Sequence, residues 1–181
     1  MKNNQSPWDD PWPNFKWPVA VSHTMAVSAD EVWKAISTEG NLEASHPFCA
    51  KNPVHSWGDG GSQDEVHYLN GWIFKRQFLR WWEGVGYDLS ISTSTGSTSL
   101  VAWRIKADHA TQSTLGITIY PYILQKWPAI TRYLPYRWYV EPQLEKYLSA
   151  VLRGFEWSIL NRAPVPRNHF GRHSWFSQAS G

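Results

Sequence analysis

Residues Met25–Phe48 read MAVSADEVWKAISTEGNLEASHPF, the end of a strand that passes into two short helices. The strand begins at Val19, where VAVSHTMAV puts Val21, His23, Met25 and Val27 on one face and Ala20, Ser22, Thr24 and Ala26 on the other. That period of two is the signature of a half-buried strand. At Ser28 the period changes. Ser28 and Glu31 have the spacing of an N-terminal capping box, and in ADEVWKAIS the residues Val32, Trp33 and Ile36 fall on one helical stripe. Gly40 predicts the stop, and a second short helix or turn fits Asn41–His46 before Pro47.

Beyond this stretch, alternation resumes at Val54 and continues to Tyr120, interrupted by turn residues at 58–61, Asn70-Gly71, Glu83-Gly84 and Ser94–Ser97. Asn70-Gly71 is the sharpest hairpin signal. The clearest strands place Tyr87, Leu89 and Ile91 on one face, then Val101, Trp103 and Ile105, then Leu115, Ile117 and Ile119. A proline- and aromatic-rich connector from Pro121 to Glu141 has room for a short helix. Pro142 then opens a long helix whose Leu144, Leu148, Val151, Leu152, Phe155 and Ile159 share a stripe, and which ends near Asn161. A lone amphipathic helix after an antiparallel sheet has to bury its stripe on the concave face. The order predicts an α+β helix-grip fold: a curved antiparallel sheet of about seven strands around a long C-terminal helix, with two short helices after the first strand. Three parts are expected: a Pro/Trp-rich N-terminal arm over residues 1–18, a ligand-binding domain over 19–161, and a C-terminal extension over 162–181 that packs on the domain.

The chain has 181 residues and carries 17 Lys+Arg against 15 Asp+Glu, too balanced for the strongly basic face of a nucleic-acid module. One cysteine, Cys49, excludes an internal disulfide. The first ten residues, MKNNQSPWDD, do not form a signal peptide, and no window reaches about 18 apolar residues, so no membrane span and a cytoplasmic location are expected. Thirteen Trp, eight Tyr and seven Phe supply rigid apolar area suited to a bulky core or to the walls of a cavity.

The opening stretch resembles the first strand and helices of the START/SRPBCC superfamily, which includes polyketide cyclases, aromatases and the birch-pollen allergen group. The matching residues are Met25–Val27, Ser28-Ala29, Glu31, Val32-Trp33, Gly40-Asn41 and His46-Pro47. The likeness extends through element order over about Val19–Leu160. Two departures stand out: Ser62-Gln63-Asp64-Glu65 occupies the third strand where many relatives carry Gly-x-Arg, and the connector after Tyr120 is longer than usual. The resemblance implies a cavity between sheet and C-terminal helix for an apolar or amphipathic small molecule, with no cofactor. It transfers no catalytic residue set.

Within that frame the candidate wall residues are Tyr87, Leu89, Trp103 and Ile117 on the sheet, and Tyr147, Val151 and Phe155 on the helix. His23 shares the inward face of its strand and has to find either a hydrogen-bond partner or a ligand. His67 adjoins Tyr68, and alternation leaves open which of the two faces inward. His46 ends the second short helix, near the cavity mouth in relatives. Three further readings fail on local grounds. His169 and His173 have a four-residue spacing, but Pro166 and Gly171 oppose the helix that a zinc pair would need, so no metal is expected. Cys49 has no sequence-defined base, and nucleotide-binding glycine motifs are absent. Inward carboxylates are expected to be scarce.

Three function classes follow: binding of a hydrophobic or aromatic small molecule; a polyketide cyclase or aromatase-like enzyme with His23, His67 and Tyr87 as acid/base or orienting groups; and a protein-interaction module using exposed aromatic surface. Cavity volume separates them: an enclosed pocket of about 300 Å³ or more favours the first two classes, and a filled core with an exposed aromatic patch favours the third.

Overall fold

The computed structural model describes residues 6–58, 61–94, 96–123 and 129–178. Strand β1 (Val19–Met25) leads into α1 (Ala29–Ser37) and α2 (Asn41–Ser45), followed by β2 (Cys49–Lys51), β3 (Val54–Ser56), β4 (Gln63–Tyr68), β5 (Ile73–Trp82), β6 (Gly86–Thr93), β7 (Thr98–His109) and β8 (Gln112–Tyr120). The sheet order is β1-β8-β7-β6-β5-β4-β2, with β3 also paired to β4, and every pairing is antiparallel. The sheet curls into a half-barrel around the C-terminal helix, the helix-grip architecture expected from the element order.

The capping box forms as the spacing requires. The Glu31 backbone N–H donates to Ser28 Oγ, and the Glu31 carboxylate accepts from the Ser28 backbone N–H. Gly40 turns the chain with φ 67°, in the left-handed region, so that α2 can start immediately. Asn70-Gly71 closes the β4–β5 hairpin, with Gly71 at φ 89°.

The C-terminal helix begins earlier than Pro142. Helix α3 (Ala129–Pro135) runs into a π-helical turn over Tyr136–Val140 and then into α4 (Glu141–Asn161), with Pro135, Val140 and Glu141 all keeping right-handed helical φ and ψ. Pro135 and Pro142 bracket the turn and each removes an N–H from the ladder, and between them the Glu141 N–H donates to the Tyr136 carbonyl, an i→i−5 bond.

Helix α4 buries Leu144, Leu148, Val151, Leu152 and Phe155 against the concave face, while Ile159 is only partly covered. It presses on β1, α1 and α2, and at Gly154 it lies so close to the end of α2 that a β-carbon there would collide with the Ser45 carbonyl. On the convex face the described part of the N-terminal arm lies over an ionic cluster, in which Arg80 and Arg104 pair with the buried Asp88 at 2.8 and 2.7 Å. Arg104 also donates to the Pro7 carbonyl, Arg80 stacks over Trp12, and Tyr120 donates to Asp10 at 2.7 Å. Past α4, the Val165 N–H donates to the Ala44 carbonyl at 2.8 Å and the Asn168 N–H to the Pro47 carbonyl at 2.9 Å, leading residues 165–178 back across α2 toward the open end of the sheet.

Candidate functional site

A cavity of about 120 Å³ lies between α4 and the concave face. Its sheet wall comes from the inward positions of β6, β7 and β8, where Leu89, Ile91, Val101, Trp103, Ile117 and Ile119 alternate with outward residues. Leu144, Tyr147, Leu148 and Val151 of α4 face them. The mouth is lined by rings from two other places. Trp72 and Phe74 come from the β4–β5 hairpin, and Trp175 and Phe176 come from the C-terminal extension. Phe176 stacks on Tyr68 with ring centroids 4.5 Å apart and tilts against Tyr147 at 4.5 Å. The space falls below the roughly 300 Å³ that would favour a small-molecule pocket or an enzyme over an interaction module, and these rings take up part of its mouth.

One wall is polar and tightly organised. His46 caps α2 with its backbone N–H on the Leu42 carbonyl, and its imidazole turns toward α4. Nδ1 accepts from the Phe48 N–H at 3.2 Å, so the neutral ring carries its hydrogen on Nε2, which lies 2.9 Å from Tyr147 Oη. Tyr147 Oη lies 2.8 Å from Tyr68 Oη. Burial, assisted by the positive charge of Arg76, pushes the His46 pKa down to about 3 and keeps the ring neutral. Burial raises both phenols, Tyr68 with a further contribution from Tyr147.

Beside them Arg76, on the inward face of β5, meets Asp64 on the inward face of β4. Nε donates to Oδ1 at 2.6 Å and Nη2 to Oδ2, and Asn52 Nδ2 donates to the same Oδ2 at 3.0 Å. Burial opposes the Arg76 charge, but Asp64 more than offsets it and the guanidinium stays protonated. Asn52 also accepts from the Leu42 N–H at 3.1 Å, so this pair anchors α2 to the sheet and thereby positions His46. Asp64 is a carboxylate on the inward face, buried and ion-paired with Arg76.

Of the residues singled out in the sequence, the structure brings His46, Leu89, Trp103, Ile117, Tyr147 and Val151 together around the cavity. Four lie elsewhere. His23 is on the inward face of β1, but that edge is covered by α4, and its Nε2 sits 2.7 Å from the Glu156 carboxylate. His67 faces outward, 2.9 Å from Glu65, and its hydrogen bond holds the Glu65 carboxyl below its ordinary range. Tyr68 takes the inward position, in step with Asp64 and Val66. Tyr87 is fully buried at the closed end, packed edge-on against Phe78 and stacked with Trp81, with its hydroxyl 3.4 Å from the Ile36 carbonyl. Phe155 is buried edge-on against Trp103, one turn beyond Val151 and below the cavity floor.

Cys49 is inert: its thiol donates to the Lys51 carbonyl, and burial pushes its pKa up to about 12. His169 and His173 go to separate partners, His169 to the rings of Trp157 and Phe170, and His173 to the Gln143 carbonyl at 2.9 Å. Among the described residues no group of three or more His, Cys, Asp or Glu side chains is placed to hold a metal ion.

Sequence reasoning left Tyr68 open against His67 and missed Arg76 and Phe176 as site residues. The apolar Val66 two residues before Tyr68, and the Phe74-Arg76-Phe78 alternation on β5, were the signals available for the first two. For Phe176 only its aromatic character in the tail spoke.

No protein-family model matches the chain, and no curated protein matches it by sequence. Solved structures do. The Zhui aromatase/cyclase from Streptomyces sp. R1128 aligns over 81% of this chain and 94% of its own, with 16% identity and a TM-score of 0.62. A START superfamily protein from Mycobacterium smegmatis aligns over 81% of this chain and 99% of its own, with 12% identity and a TM-score of 0.62. DynU16, from the dynemicin biosynthetic locus, aligns over 81% of this chain with 16% identity and a TM-score of 0.62, and the chain spans about half of its length (48%). The chain has the START/SRPBCC fold. Among the described residues no helix is long and apolar enough to cross a membrane.

Proposed function

We propose that this chain binds a hydrophobic or aromatic small molecule, about one ring in size, in the cavity between the sheet and α4, without a cofactor. The observation that carries this reading is the open apolar space itself. Protein interiors leave few voids larger than a water molecule. At about 24 cal/mol per Å³, a void of 120 Å³ left empty costs on the order of 3 kcal/mol. An apolar cavity of comparable size is enough to bind benzene. The volume suits a ring rather than a long acyl chain.

An aromatase/cyclase-like enzyme is the second reading, supported by the hydrogen-bonded His46–Tyr147–Tyr68 series in the wall and by the fold shared with the Zhui enzyme. It ranks below binding because a general acid or base works best with a pKa near the working pH. Burial moves His46 to about 3 and moves both phenols upward, away from neutrality on either side.

The test is Val151→Trp, followed by titration with ethylbenzene in a calorimeter. An indole at this position occupies the cavity, so the wild type binds ethylbenzene and the variant, with little change in melting temperature, does not. A wild type that takes up no ethylbenzene, together with a variant destabilised by the 1–3 kcal/mol typical of an overpacked core, contradicts the reading. It would leave the exposed aromatics Trp72, Trp138 and Tyr139 as the better account, in a partner-binding role.

A further inference from the structure

Building on the reading of the cavity as a small-molecule site, we infer that its ligand carries an uncharged oxygen acceptor, a ketone, aldehyde or ester carbonyl on a ring-sized apolar body, and that the Tyr68 hydroxyl donates to it. The inference comes from a count of hydrogens. His46 Nδ1 is committed as an acceptor from the Phe48 N–H, so the imidazole has one hydrogen to give, and it points at Tyr147 Oη. Tyr147 and Tyr68 each bring one more. Three hydrogens therefore meet two contacts, Nε2 to Tyr147 and Tyr147 to Tyr68. Head-to-tail order, in which each group accepts and then donates, polarises every bond in the series and leaves the surplus hydrogen at its end, on Tyr68.

Tyr68 is buried and lines the cavity, so that hydrogen is turned away from bulk water. A buried donor without an acceptor is costly. A lone water is a poor remedy in an apolar space, because it needs two to four polar partners of its own. The nearby guanidinium of Arg76 is ion-paired with the buried Asp64 carboxylate, so its charge is already balanced within the wall and does not call for an anionic ligand. His46 and the phenols remain uncharged at neutral pH, so the wall offers a directed O–H without a free charge. A neutral carbonyl oxygen fits that wall; a carboxylate or an ammonium group does not.

Two probes of the same shape test this: acetophenone, and α-methylstyrene, in which C=CH₂ replaces C=O. Dissociation constants are measured by calorimetry for the wild type, Tyr68→Phe and Tyr147→Phe, with melting curves to establish folding. The ratio of the two affinities is the readout, so a general loosening of the wall cancels. The wild type is expected to prefer acetophenone by about fivefold, the worth of one net hydrogen bond. Its bound carbonyl stretch should lie below the frequency of acetophenone in hexane. Tyr68→Phe should reduce the preference below about twofold and remove the infrared shift, while Tyr147→Phe, which keeps the Tyr68 hydroxyl, retains most of both. Equal wild-type affinities, or a preference that survives Tyr68→Phe, overturn the inference while leaving the cavity a binding site. Binding of neither probe overturns both.

Discussion

Replacing Gly154 by alanine sets two local effects against each other. Alanine is favoured over glycine inside a helix by about 0.8–1.0 kcal/mol, so propensity alone predicts a more stable protein. Packing opposes this. A β-carbon at position 154 would sit 2.2 Å from the Ser45 carbonyl oxygen and 3.0 Å from Pro47 Cδ. The nearer atom is backbone at the end of α2 and cannot rotate away, so α4 has to retreat by about 1 Å to restore even a tight contact. That retreat strains the Ser45–Ser158 hydrogen bond at 2.9 Å and, two turns earlier, the His46–Tyr147 contact. Overpacking costs typically about 1–3 kcal/mol and a lost hydrogen bond about 0.5–1.5 kcal/mol, so packing outweighs propensity by roughly 2 kcal/mol. At about 2–4 °C per kcal/mol for a chain of this size, Tm should fall by roughly 4–8 °C in calorimetry. Gly116→Ala is the control. Its β-carbon would meet its neighbours at 3.8–3.9 Å, an ordinary contact, and the substitution should leave Tm unchanged or slightly raised. An unchanged or raised Tm for Gly154→Ala would show that α4 is not pinned to α2 there, leaving the Asn52 anchor alone to position His46 against Tyr147.

Asp64→Asn leaves the buried Arg76 guanidinium without a counter-charge and should cost about 3–5 kcal/mol in urea denaturation, most of it recovered in Asp64→Asn/Arg76→Met; equal stability of wild type and single variant would refute this. His46 is neutral in the fold to about pH 3, whereas in the unfolded chain it protonates near 6.5. The unfolded state therefore binds the extra proton in between, and this group's stabilisation, complete above pH 6.5, is lost as pH falls toward 3. His46→Gln should flatten the wild-type slope over that interval by up to about 1.4 kcal/mol per pH unit, and parallel profiles would contradict the assignment. Deleting Pro164–Gly181 removes Trp175 and Phe176 from the cavity mouth and should lower Tm, because each buried large apolar side chain contributes about 1.5–3 kcal/mol; an unchanged melting curve would show that these rings add nothing.

The parts of the fold that were legible are those written locally. Ser28 and Glu31 specify the start of α1 by reciprocal hydrogen bonds three residues apart, and the spacing of Leu144, Leu148, Val151 and Phe155 specifies which face of α4 is buried. Tyr147, Val151 and Trp103 could be assigned to the cavity because each follows from its element's own period. What escaped depends on pairing between distant segments. Asp64 and Arg76 carry no local sign of their pairing, which arises only when the β4–β5 register sets them opposite each other. His23 was read correctly as inward, but whether inward meant ligand or helix depended on Glu156, 133 residues away. Tyr87 and Phe155 share the periodicity of the wall residues yet lie beneath α1 and behind Trp103, a depth that alternation along a strand does not encode. The early start of the last helix is hidden because Pro142 reads as the first residue of a helix and the segment before it as a proline-rich connector, whereas Pro135 and Pro142 are accommodated on either side of a π turn.

The most direct test of the central claim is a methyl-resolved NMR titration of the wild-type protein with ethylbenzene. Saturable shift changes at Leu148, Val151, Ile117 and Leu89, with the exposed Leu134 and Leu160 unmoved, are the expected result. Methyl signals that stay fixed around the cavity, or that move only at the exposed positions, would contradict the cavity as the place where this chain holds a ligand.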